Sequence, residues 1–110
     1  MTALKDLAKK YFNAFSARDI NGVGGALAAN VTLRDWEISK QGIDDVLAAT
    51  AAIFASCRTI DVVVTALYAE SGTVLAELEI SFDGGEPLRV LDVLGFNDIG
   101  LISSIRAFKG

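Results

Sequence analysis

The second half of the chain constrains the fold most. From about residue 60 it reads as four strand-like runs joined by short turns. TIDVVVTALYA leads into Ser71-Gly72. TVLAELEISF then sets Val74, Ala76, Leu78, Ile80 and Phe82 on one face and Leu75, Glu77, Glu79 and Ser81 on the other. Asp83-Gly84-Gly85 reads as a hairpin turn. PLRVLDVLGF follows, and Asn97-Asp98-Ile99-Gly100 turns into LISSIRAF. Alternation with period two, punctuated by such turns, predicts half-buried strands in an antiparallel meander. Gly95, inside the third run, marks an expected bulge that helps the sheet curve.

The first half is helical in period. Residues 3–17 carry Leu4, Leu7, Tyr11 and Phe15 at spacings of three and four, with Ala8 and Phe12 alongside and Lys5, Lys9 and Lys10 facing water. Asp19 is placed to cap a second, short helix with Ile20, Val23 and Leu27 as its stripe, ending at Asn30. Gly22, Gly24 and Gly25 weaken that helix. VTLRDWE (31–37) alternates as a strand, with Val31, Leu33, Asp35 and Glu37 on one face. A third helix runs from Gly42 to about Cys57, its first turn carrying Asp44 and Asp45. Helices first and strands second predict an α+β fold, and 110 residues predict one domain, 1–110. A curved sheet wrapped over helices encloses a pocket.

Composition removes several chemistries. The chain has no histidine and one cysteine, Cys57. Histidine-dependent nucleophilic catalysis and most zinc sites are therefore excluded, and proton transfer falls to Asp, Glu, Tyr, Lys or water. The net charge of −4, without a basic cluster, argues against nucleic acid as a partner. No run of 18 apolar residues and no signal-peptide pattern occur, so a cytoplasmic protein without a membrane partner is expected.

Three polar side chains interrupt the apolar faces. Asp92 sits in Leu88, Val90, Asp92, Leu94, Phe96, so its carboxyl is expected to point inward, where desolvation favours the neutral, hydrogen-bond-donating form. The alternative is an Asp satisfied at a bulge or an interface. Asp35 ends the Val31, Leu33, Asp35 run. At a cavity wall it would be a general base; near a strand end it would instead bond the next loop. Tyr11 lies mid-stripe on the first helix, where its hydroxyl needs a partner, be it a ligand, a backbone carbonyl or water. Trp36, on the other strand face from Asp35, reads as packing.

The order of these elements resembles the ketosteroid isomerases, members of the cone-shaped α+β superfamily named after nuclear transport factor 2. The patterns that carry this are a Tyr within LAKKYFNAF, the strand VTLRD after a short helix ending in Ala-Asn, and LDVLGF-NDIG-LISSIRAF near the end. The last is similar to the family's Asp-Val-x-x-Phe-Asp-x-x-Gly-x-Ile ending. The resemblance implies helices in the concave face of a strongly curved, mostly antiparallel sheet, a cystatin-like cone. In ketosteroid isomerases an Asp base works with a Tyr and a protonated Asp that form the oxyanion hole. Carried across, Asp35 is the base, and Tyr11 and Asp92 are the oxyanion donors. The resemblance also implies no cofactor, a small hydrophobic ligand of steroid or polyketide type, and a homodimer. For the homodimer, the outer sheet face offers Leu75, Leu91 and Val93 beside charged residues.

The chain departs from that family in places. Leu27 and Thr50 stand where further tyrosines bond the oxyanion-hole Tyr, Trp36 replaces a common Pro, the loop after the base is shorter, and the chain ends soon after Phe108. The sequence therefore also leaves open a polyketide-cyclase-like enzyme and a non-catalytic binding or dimerisation module of the same fold. Epoxide hydrolysis of the limonene type is disfavoured, because Val90 stands where that chemistry needs an Arg. Dehydration of the scytalone type requires histidine and is excluded in that form.

Overall fold

The computed structural model describes residues 3–110. In chain order the elements are α1 (Leu4–Ser16), α2 (Ile20–Ala26), β1 (Leu27–Arg34), β2 (Ser39–Gln41), α3 (Ile43–Ala55), β3 (Ile60–Glu70), β4 (Thr73–Phe82), β5 (Leu88–Phe96) and β6 (Ile102–Lys109). The strands form one curved sheet in the order β2-β1-β6-β5-β4-β3, with the helices packed against one face. All neighbouring pairs are antiparallel except β1 with β6, which is parallel. The expected α+β architecture, helices against a mostly antiparallel sheet, is what is found.

Local chemistry sets these boundaries. α1 buries Ala8, Tyr11 and Phe12 and leaves its lysines exposed, the stripe that its periodicity predicts. Asp19 caps α2: its Oδ1 accepts the Gly22 N–H at 3.0 Å. The Arg18 guanidinium then donates to the Arg58 carbonyl at 2.9 Å and to the Phe54 carbonyl, tying the α1–α2 corner to the end of α3. Ser71 and Gly72, which alone join β3 to β4, both have positive φ, the two-residue geometry that matches the twist of a hairpin. Asp83 and Gly84 also have positive φ but open a longer connection, residues 83–87, to β5.

Two boundaries differ from expectation. α2 ends at Ala26, not Asn30, and Leu27 begins β1 instead of completing a helical stripe. Three glycines make α2 a poor helix, and Leu27 and Ala28 gain full burial as strand residues. β1 in turn stops at Arg34, not Glu37, because residues 35–38 turn into β2. That three-residue edge strand, Ser-Lys-Gln, is wholly exposed and has no apolar alternation by which the sequence could announce it.

The core lies between helices and sheet, with Val23, Val31, Val46, Val74, Leu94 and Ile102 its largest fully buried side chains. The register shift expected near Gly95 falls between Gly95 and Phe96. Phe82, expected on the buried face of β4, is 38% exposed at the strand's end. Trp36, expected to pack, is 43% exposed on the β1–β2 turn. Among the described residues no helix is long and apolar enough to cross a membrane.

Candidate active site: a row of two carboxyls beside a tyrosine

Asp92 lies in the middle of β5, paired with Ala76 on one side and Ala107 on the other. Cross-strand partners share a face, so Asp92 stands between two methyl-sized side chains; neither it nor Tyr11 lines any of the clefts described below. The parallel ladder pairs Arg34 with Arg106, so Asp35, the next residue, falls level with Ala107. The three strands thus carry Asp35, Ala107 and Asp92 in one row, and two strand spacings put the two Asp backbones about 10 Å apart.

The two carboxyls occupy opposite settings. Asp92 is 9% exposed among apolar residues. Burial pushes its pKa up from 3.8 to about 7, and the nearby Asp35 charge adds to the rise. Asp35 is half-buried at the strand end. Its Oδ1 accepts the N–H of Glu37 at 2.7 Å and of Ile38 at 2.8 Å, while its own N–H donates to the Ile38 carbonyl at 3.0 Å. This is the loop-bonding role that the sequence left as an alternative. Both donors converge on Oδ1, so they fix the carboxylate while Oδ2 stays outside this turn. The missed contributors are therefore backbone groups, which side-chain pattern cannot reveal.

Tyr11 lies on the buried stripe of α1. It is buried beside Phe12 and Phe15, with ring centroids at 5.3 and 6.2 Å. Phe15 meets Phe54 of α3 edge to face at 5.2 Å. Burial raises the Tyr11 pKa strongly, and the Asp92 charge raises it further. Tyr11, Asp92 and Asp35 therefore belong to one electrostatic cluster. Among the described residues no buried side-chain nitrogen or oxygen is left without a partner. Thr50 is buried, but its hydroxyl donates to the Val46 carbonyl of its own helix at 2.9 Å, so it is engaged away from Tyr11.

Asp35 opens onto a cleft of about 550 Å³ between the β1–β2 turn and the Ala48, Ala49 and Ala52 face of α3. The largest cleft described, about 710 Å³, lies at the opposite end of the sheet and includes none of the three residues. Volume alone does not make a reactive site, and the acid cluster is where proton chemistry is possible. Among the described residues no group of three or more Cys, Asp or Glu side chains could hold a metal ion.

Known proteins show the chain's family and its fold. The model of the SnoaL-like domain matches residues 8–105. The chain belongs to the SnoaL-like family, within the nuclear-transport-factor-2-like, cystatin-like folds. It is similar to a candidate isomerase of the SnoaL-like family from Agrobacterium tumefaciens, at 21% identity over 100% of this chain and 99% of that one, with a TM-score of 0.84. A proposed ketosteroid isomerase from Kribbella flavida shares 22% identity over 97% of this chain and 77% of that one, TM-score 0.82. A proposed polyketide cyclase from Sinorhizobium meliloti shares 18% over 93% of each, TM-score 0.83. At such identities the likeness is one of fold. A search of curated proteins finds no match.

Proposed function

We propose that this chain is an isomerase that moves a carbon–carbon double bond into conjugation with a ketone, with a steroid-like or other hydrophobic β,γ-unsaturated ketone as substrate. The observation that carries the reading is Asp92: a buried carboxyl that titrates near 7, between two alanines, beside Tyr11 and level with Asp35. Asp35 Oδ2 takes a proton from the carbon between carbonyl and alkene, leaving a dienolate. The Tyr11 hydroxyl and the protonated Asp92 donate to the dienolate oxygen, and such aimed donors in a dry site are each worth about 3 kcal/mol. The Asp35 proton then returns to the far alkene carbon, so the step is redox-neutral and needs no cofactor. The same fold lends itself to a homodimer through the outer sheet face, where Val63, Tyr68 and Phe108 are about half exposed beside Glu77, Glu79, Arg89 and Arg106.

The half-exposed, turn-bonded setting of Asp35 favours one second reading, a binding module or a polyketide-cyclase-like pocket that does not use Asp35 as a base on a steroid ketone. The discriminating experiment follows the ultraviolet absorbance of the conjugated product from a Δ5-3-ketosteroid with wild type and Asp35→Asn. Asn keeps the carbonyl oxygen that accepts the turn's N–H groups, so the fold is retained while the base is lost. Turnover that falls by about 10²–10⁴ supports the isomerase. Equal rates reject it, and no turnover by the wild type rejects a steroid ketone as the substrate.

A further inference from the structure

The cleft of about 710 Å³ lies between the start of α1, the end of α2 and the β5–β6 turn, away from the acid cluster. Its size is that of small-molecule sites, roughly 300–1,000 Å³. Leu4, Leu7, Phe96, Ile99, Leu101 and Ile102 supply an apolar lining, with Lys10 as the one cation and Asp98 as the one anion among the described lining residues. Ile99 is 79% exposed, more than any other large hydrophobic side chain of the described residues. The turn holding it is rigid: the Asn97 Oδ1 accepts the N–H of Ile99 at 3.1 Å and of Leu101 at 2.9 Å, and the Gly100 N–H donates to the Asn97 carbonyl at 3.1 Å. With the Asn97 oxygen occupied, that carboxamide can offer the cleft only its N–H₂ donors. A fixed apolar lip, an ammonium group and a donor-only amide suit an elongated apolar molecule that ends in an anionic acceptor.

We propose that this cleft is a second ligand site, separate from the acid cluster, for an apolar chain bearing a carboxylate, with the carboxylate at Lys10 and the chain along Leu7, Phe96 and Ile99. Gly25 gives a clean way to close it, since a Cβ there would meet nothing within 4 Å. Gly25→Phe projects a ring into open space and replaces a poor helix former.

Decanoate, decanol and decylamine are titrated by calorimetry against wild type, Gly25→Phe, Lys10→Gln and Asp92→Asn, with thermal melting to check that each variant is folded. The expected result is saturable decanoate binding by wild type, at least tenfold tighter than decanol. Gly25→Phe abolishes it, Lys10→Gln removes the preference for decanoate over decanol, and Asp92→Asn leaves it unchanged. The inference is overturned by the absence of saturable decanoate binding, by tighter binding of the amine, by an undiminished affinity in folded Gly25→Phe, or by loss in Asp92→Asn, which would place the ligand at the acid cluster. Because the two sites share no residue, this outcome is independent of whether the isomerase reading holds.

Discussion

Asp92 makes the folded protein's stability depend on pH near neutrality, and the direction follows from its burial. In the unfolded chain the carboxyl releases its proton near 3.8, and in the fold near 7, chiefly through burial and secondly through the Asp35 charge. Between those values the folded state holds the extra proton, so stability falls as pH rises. The penalty starts near pH 4 and levels off near pH 8. Three pH units at about 1.4 kcal/mol each give a total of about 4 kcal/mol, of which about 2 kcal/mol accrues between pH 5 and 7 and about 3 kcal/mol by pH 8.5. Asp92→Asn removes this slope while keeping size and shape. Urea unfolding followed by circular dichroism from pH 5 to 8.5 should show Asp92→Asn gaining on wild type by about 3 kcal/mol across that window, since the other carboxyls cancel in the difference. Asp35→Asn should lower the Asp92 midpoint without returning it to 3.8, burial being the larger cause. A stability difference that stays flat from pH 5 to 8, or an Asp92 carboxyl that titrates near 4 by carbon NMR, would refute the reasoning.

Other expectations follow from the same packing. With Tyr68→Phe, Tyr11 is the sole tyrosine, and spectrophotometric titration should show no tyrosinate across the ordinary range near pH 10 while the fold persists, because burial and the Asp92 charge both oppose its ionisation. Arg18→Ala removes two bonds to the carbonyls of Phe54 and Arg58 and should lower unfolding free energy by about 1–2 kcal/mol, read from denaturant midpoints. If the outer sheet face joins two copies, the 11.6 kDa chain should sediment at twice that mass. Phe108→Asp, at a position already 51% exposed, should then give a folded monomer.

The sequence showed what repeats along the chain and obscured what one residue settles. The alternation of Val74, Ala76 and Leu78, the helical stripe through Tyr11 and the bulge at Gly95 each follow from periodicity or from a residue with special backbone freedom. Asp92 stood out because four apolar neighbours at even spacing predict its direction, and burial of a lone carboxyl has a large electrostatic consequence. Asp35 was harder to place. Its strand stops one residue before it, and the partners of its Oδ1 are backbone N–H groups of a turn that the run VTLRDWE disguises as further strand. The parallel β1–β6 register that levels Asp35 with Asp92 joins segments far apart in the chain, and no local pattern encodes it.

That register is why two like residues can differ in chemistry. Mid-strand, Asp92 has its backbone committed to both neighbouring ladders and its carboxyl between Ala76 and Ala107. No backbone donor can turn toward it, and burial holds it neutral up to about pH 7. Asp35 lies where the ladder ends, so the N–H groups of Glu37 and Ile38 are free to converge on its Oδ1. The Asp35 charge also helps to keep the Asp92 proton in place. Under the proposed roles, the charge that Asp35 carries as a base is part of what keeps Asp92 protonated as a donor.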